Sequence, residues 1–395
     1  MYMSKSNYYY SSPLLTTLNI PKCSININAL WNNKYVPSPE KVILTLIKNG
    51  YNCSYYKMFD RNTKVLDAIR NVNSKAVIAF NNWELKYILY DENFAFNEIN
   101  KLITYIDVID CIAVGNEPLG SWYNNEFTLL LAPAVNKVSN IIKQLMPKQK
   151  ITVPFNFAIF DNTYPPSNSV ILTSVNNIVM DVLLTINNHS VKSPVMVNIY
   201  PYLTYQQNSD IIDFNFAIGS NTISYIEDQN YKYSSLFSLM YDSAFVALKK
   251  TGLDIDLVIG EVGWPSEGGL DATTENQCKS LYELSLISAI GTPRSNSPIQ
   301  IYIFEAIDEP WKDIAPGLTE RHWGVLDTDL KYKCSYNNKN FKIFKNYNNY
   351  YTLIPVVFPS LLLISCLIYY LLLKKKKNNY NKVSLNELTR LNIRI

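Results

Sequence analysis

Two carboxylates sit at the ends of two apolar runs. In "CIAVGNEPLG", residues 111–120, the run stops at Asn116 and Glu117, and Pro118 forbids the strand to continue; in "LVIGEVGWPS", residues 257–266, a second run carries Glu261 and breaks at Pro265. A strand holds a side chain rigidly, and a proline behind it turns the backbone away, so that each carboxylate faces a cleft. Either one alone could be structural, paired to a neighbouring Arg or Lys. Two at one mouth fit paired acid–base chemistry, in which one carboxyl keeps its proton and the other stays ionised.

The elements that must position them are legible as eight strand-like runs, at 25–29, 52–59, 75–80, 108–117, 150–157, 194–202, 256–263 and 299–307. Helix-like stretches alternate with them. One has Ser38 as N-cap, Pro39 at the first helical position, Glu40 in the first turn and Gly50 after its end. Another, "SLFSLMYDSAFVALKKTG", closes with two lysines and Gly252. Eight alternations predict an α/β fold, a single (β/α)8 TIM barrel, with catalytic groups at the C-terminal strand ends. Glu117 then ends the fourth strand and Glu261 the seventh.

Composition narrows the partners. With 36 basic and 33 acidic side chains there is no basic field for a nucleic-acid backbone, so no nucleic acid is expected. The 30 Tyr and many Asn are either groups that stack on and hydrogen-bond sugars or the mark of biased composition. Six Cys show no metal-ligand spacing, and neither metal nor cofactor is expected. Cys53, Cys111 and Cys366 read as buried small hydrophobes, and a disulfide involving Cys23, Cys278 or Cys334 stays open.

From Thr352 to Leu373 the 22 residues "TLIPVVFPSLLLISCLIYYLLL" carry no charge, and four lysines, Lys374 to Lys377, follow at once. That predicts a single-pass transmembrane helix with its basic flank in the cytoplasm and the preceding domain extracellular or lumenal. A buried core helix would not stay uncharged for so long and end in four lysines. The first twenty residues hold one early Lys but no apolar run of signal-peptide length, which leaves a truncated start or targeting through the tail. Asn52-Cys-Ser54 and Asn188-His-Ser190 are glycosylation sequons.

In order along the chain, "VPSPEKVILTLIKNG", "AVGNEP", "VNIYPY", "GEVGWPSEGG", "TPRSNSPIQIYIFEAIDEPWK" and "TERHWGVL" resemble glycoside hydrolase family 17, the β-1,3-glucanase family of plants and fungi. The resemblance covers about residues 25 to 335. It implies a retaining endo-β-1,3-glucanase with Glu261 as nucleophile and Glu117 as acid/base. It places Asn116 on the 2-hydroxyl of the reacting sugar, Glu309, Lys312 and Glu320 in a charged cluster that supports the nucleophile, and Tyr200, Trp264 and Trp311 along the sugar cleft. Lys312 would keep Glu261 ionised, while burial and a neighbouring carboxylate would raise Glu117. The substrate it implies is a β-glucan polysaccharide; the oligomeric state is left open.

The chemistry accounts for the residue types. A glycosidic oxygen leaves poorly unless it is protonated as it departs, and the positive charge developing at the anomeric carbon needs an anionic partner. The chain departs from the family pattern in two places. "NINALW" puts Ala29 where the family has tyrosine and Leu30 where it has its second glycine, and "YYKMFD" puts Lys57 and Phe59 in place of arginine and tyrosine. Two other readings remain: a β-1,3-glucan transglycosylase, and a catalytically idle β-glucan-binding surface protein, which the altered first strand favours. The expected layout is an N-terminal segment 1–23, a hydrolase domain 24–346, a transmembrane helix 352–373 and a basic tail 374–395.

Overall fold

A computed structural model describes residues 23–28, 36–220, 225–314 and 317–334. The expected transmembrane stretch 352–373, the basic tail, Cys366, Ala29 and Leu30 lie outside the described residues. Among the described residues no helix is long and apolar enough to cross a membrane.

Each of the eight expected runs overlaps a strand. They are Ser24–Asn26, Tyr55–Lys57, Lys75–Phe80, Ile109–Val114, a fifth run broken into Lys150–Thr152 and Pro154–Asn156, then Val195–Asn198, Leu257–Val262 and Ile301–Ile303. All pair in parallel as one sheet of nine described strands. Lys150–Thr152 pairs with Ile109–Val114, and Pro154–Asn156 with Val195–Asn198, so the chain itself bridges the two sheet edges through Val153. The result is a nearly closed parallel barrel wrapped by helices, consistent with (β/α)8. Except at Lys75–Phe80 the strands are shorter than the apolar runs, because the last residues of those runs leave the ladder to build the loops of the mouth.

Alternation along each strand separates two cores. Val77, Ala79, Cys111, Ala113, Met196, Val258 and Tyr302 point inward and fill the barrel. Their neighbours Ile78, Phe80, Ile112, Val114, Val197 and Ile259 point outward into the larger core beneath the helices. In the same inward phase as Tyr55 and Ser24 come Lys57 and Asn26, both buried, at the C-terminal end of their strands. The barrel interior is therefore apolar in its middle and polar at its mouth.

The helix expected after Ser38 starts there, and a second serine cap is added by the structure. Ser38 caps Pro39–Lys48 by accepting from the Lys41 backbone N–H, and Ser235 caps Leu236–Lys249 in the same way, accepting from Ser238. Two disulfides are present, Cys23–Cys53 and Cys278–Cys334. The second closes a long loop, restricting the unfolded chain by about 4 kcal/mol on loop-entropy grounds. The first corrects the reading of Cys53 as a buried small hydrophobe: Ser54 N–H donates to Cys23 C=O at 2.9 Å as the first two strands begin pairing, which brings the two Cα atoms to 4.2 Å. Cys111 is buried and free.

Candidate active site

The turn after the fourth barrel strand is built by a glycine and a clamp. Gly115 adopts φ +77°, and a Cβ there would lie 2.7 Å from Asn82 Oδ1, so a side chain at 115 would collide with the clamp itself. The Asn82 amide donates to Asn116 C=O at 2.8 Å and accepts from Asn116 N–H at 2.9 Å. Glu117 follows at φ +49° and anchors its own N–H on Pro154 C=O at 2.8 Å. A non-glycine residue in the left-handed region is held there by its surroundings, a recurrent device for presenting a functional side chain.

Glu117 Oε1 accepts from Asn156 Nδ2 at 3.0 Å and Asn198 Nδ2 at 2.8 Å. Burial first, and the charge of Glu261 second, push its carboxyl up to about 7, against the opposing pull of the two amides. At neutral pH a large share of Glu117 keeps its proton.

Glu261 lies near the end of Leu257–Val262, and both of its oxygens are engaged. Lys57 Nζ stands 2.8 Å from Oε1, and Tyr200 Oη donates to Oε2 at 2.7 Å. The pair is deep, with Lys57 1 % and Glu261 5 % exposed. A register shift between Ile259 and Glu261 bulges the strand and re-aims the side chain, and Gly260 leaves room for Asn198, whose Oδ1 would be 2.7 Å from a Cβ there. Asn198 is registered opposite Glu261 on the neighbouring strand, and its side chain donates to Glu117, so the strand beside Glu261 supplies one of the two amides on Glu117.

The cation beside Glu261 is a correction. Lys312, expected to hold it ionised, instead pairs with Glu309 Oε2 at 2.6 Å and Glu305 Oε1 at 3.2 Å. The reason is positional: Lys312 sits on the loop after the last barrel strand among carboxylates of that same loop, whereas Lys57 projects inward from the second strand. Lys57 Nζ also reaches Asn26 Oδ1 at 3.3 Å and Asn116 Oδ1 at 3.5 Å, and lies 3.9 Å from the Phe59 ring centre. Burial alone would lower Lys312, yet Glu305 and Glu309 carry it above an ordinary lysine. Burial pushes Glu305 well above the carboxylate range, with Glu309 adding to it and Lys312 opposing. Glu320, half-buried on the same loop, is raised by burial and opposed by Lys312. Glu309, Lys312 and Glu320 thus form one charged cluster with Glu305, a member the sequence reading missed.

Tyr200 stands edge-on to Trp323 at 5.2 Å and to Phe304 at 5.9 Å, and Phe59 packs on Phe304 at 6.2 Å, so the strand of Glu261 faces an aromatic rim. Trp311 is half-exposed beside Lys312. Trp264, expected along the cleft, is a wall residue. It is 1 % exposed, donates from Nε1 to Asp271 C=O at 3.0 Å, and packs against Tyr202 at 5.0 Å, because the chain turns outward immediately after Val262. Asn26, Asn82, Asn156 and Asn198 were also missed. The legible signal was "VNIY", which sets an amide at a strand tip just as "GNEP" does.

With this geometry in hand, the comparisons are direct. The pattern "Glycosyl hydrolases family 17" matches residues 25–337. A glucan endo-1,3-beta-glucosidase of Vitis vinifera is 29% identical over 335 residues, 82% of this chain and 95% of the relative. Glucan endo-1,3-beta-glucosidase 8 of Arabidopsis thaliana is 31% identical over 312 residues, 74% of this chain and 62% of the relative, so this chain spans under two thirds of that protein. Among solved structures, CJP38, a beta-1,3-glucanase and allergen of Cryptomeria japonica pollen, superposes with a TM-score of 0.73 at 27% identity, covering 79% of this chain and 97% of that one.

Proposed function

This chain belongs to glycosyl hydrolases family 17 and is a glycoside hydrolase of the endo-1,3-beta-glucosidase type, and we propose that it cleaves internal β-1,3-glucan bonds by double displacement. One observation carries the mechanism: a carboxyl raised to about 7, bonded by Asn156 and Asn198, feels the charge of a carboxylate held by a buried lysine and a tyrosine hydroxyl. In the first step the Glu261 oxygen attacks the anomeric carbon, the glycosidic C–O bond breaks, and Glu117 gives its proton to the departing oxygen. In the second, water adds to that carbon, Glu117 takes the water's proton, and the bond to Glu261 breaks. Asn116 holds the 2-hydroxyl of the reacting sugar, and Tyr200 releases its hydrogen bond to Glu261 as the covalent bond forms. Glu309, Lys312 and Glu320 set the charge around the site from the loop after the last strand.

Two inversions at one carbon return the β configuration. Proton NMR of early hydrolysis of a β-1,3-glucan oligomer is expected to show the β-anomer signal first. An initial α signal would mean that water attacks directly, across carboxyls about 6.5–9.5 Å apart, and would refute retention. Products longer than the substrate in the same spectra would mark transglycosylation, with a second glucan chain in place of water.

For localisation, the uncharged stretch 352–373 followed by four lysines supports a single-pass anchor with the hydrolase domain extracellular or lumenal. Protease added to intact cells is expected to remove a tag on the domain side and spare one at the C-terminus; the reverse pattern would sink the topology.

A further inference from the structure

Large aromatic side chains left in water are worth an explanation when they cluster beside a site. Trp83 is 55 % and Trp122 54 % exposed. They lie on consecutive loops of the catalytic face, after the third and fourth barrel strands. Trp83 directly follows Asn82, the residue that clamps the Asn116 backbone, and Trp122 lies on the loop that begins at Glu117.

Both indoles are fixed in place. Trp83 meets Phe127 at 5.1 Å and Tyr123 at 6.4 Å, in near-perpendicular contacts that leave at least one indole face uncovered. Trp122 packs on the other side of the same small cluster, 5.7 Å from Tyr123, and lies across Gly120, where a Cβ would come within 2.4 Å of its ring. Gly120 is the residue that lets the indole settle flat on the backbone. Rigid, exposed rings held by neighbours that are not themselves ligand-facing are what a stacking surface requires, because little conformational entropy is lost on binding.

We propose that Trp83 and Trp122 form a stacking platform for further glucosyl residues of a β-1,3-glucan chain, extending the cleft past Glu117 and Asn116. The occupant follows from continuity. The platform spans the loop that carries the acid/base and the loop whose Asn82 clamps it, and a polymeric substrate must run on from the reacting sugar across one side of the mouth. All-equatorial glucosyl rings present flat C–H faces that pack on indoles, a mostly apolar contact guided by few polar groups. The proposal rests on the β-1,3-glucanase reading for its ligand, but its test reads binding and does not need turnover.

With full-length chain carrying Glu261→Gln as the parent, so that glucan is bound and not cleaved, the dissociation constants for a long β-1,3-glucan and for a β-1,3-linked glucotriose are measured side by side. Trp83→Ala and Trp122→Ala are each expected to lower the preference for the long glucan over the trisaccharide by about tenfold, and the double variant by more. Trp→Phe at each position retains most of the preference and guards against misfolding as the cause. A preference in the double variant within about twofold of the parent would overturn the platform. Equal weakening for both glucans would overturn it too, by placing the rings in the reacting-sugar site. A change in sedimentation mass with glucan affinity intact would assign the surface to a second copy of the chain instead. Turnover retained in Glu261→Gln or Glu117→Ala with the long-glucan preference intact would sink the catalytic reading and leave the platform standing, which separates the two failures.

Discussion

Glu261→Gln is expected to lower kcat/KM on β-1,3-glucan and on an activated aryl β-glucoside alike, by at least about ten-thousand-fold, because an amide can neither form nor stabilise the glycosyl intermediate. Glu117→Ala should match that loss on the glucan but not on the aryl glycoside, whose leaving group needs little protonation. Equal loss on the aryl glycoside would overturn the division of labour. The pH profile adds a second readout. Glu117 acts as acid only while protonated, and its folded pKa is raised to about 7, so wild-type kcat/KM on glucan falls as pH rises through about 7. Glu117→Ala should remove that limb on the aryl glycoside. The same shift has a stability sign: a raised folded pKa contributes stability below the ordinary carboxylate range that is lost as pH rises through about 7. The catalytic device therefore costs stability at neutral pH.

Lys57→Met is the second large effect. The lysine and Glu261 are both buried, at 1 % and 5 % exposure, and 2.8 Å apart, so an apolar replacement leaves a carboxylate in a dry site with Tyr200 as its remaining hydrogen-bond donor. Removing one partner of a buried pair costs about 3–5 kcal/mol, which appears as stability lost, as a carboxylate no longer held in place for attack, or as both. Lys57→Met should therefore lower kcat per folded molecule on the glucan and on the aryl glycoside alike, by about tenfold or more. A merely structural lysine would lower stability and leave kcat per folded molecule where it was. Lys57→Arg restores the charge and should recover much of the turnover, though a planar fork is not interchangeable with the ammonium that also reaches Asn26 and Asn116. Unchanged kcat per folded molecule in Lys57→Met would return the role to another group.

Several parts were legible in advance because they are local. Alternation of apolar runs with helix caps depends on residues a few positions apart, so all eight barrel runs and the cap at Ser38 could be read from the chain. The proline breaks after Asn116-Glu117 and Glu261 marked strand tips for the same reason. What was misread depended on partners far apart in sequence. Lys57 and Glu261 are 204 residues apart, and nothing in "YYKMFD" tells which way Lys57 points until the barrel curls the second strand opposite the seventh. Lys312 looked the better partner because it lies among acidic residues of a matching motif, yet those same acids, Glu305 and Glu309, are what occupy it.

The sequence by itself determined the strand–helix order, the positions of the two glutamates at strand ends, and the glycine and proline punctuation that frees them. Each of these is a choice a short segment makes through propensity and sterics. Only the tertiary structure decided the electrostatic assignment: which cation holds Glu261, that Asn156 and Asn198 hold Glu117, that Trp264 faces the wall, and that Cys53 is bonded to Cys23. Charge, burial and hydrogen bonding act through distance in space, and a closed barrel brings together residues from every part of the chain, so proton states could not be read until the strands were paired.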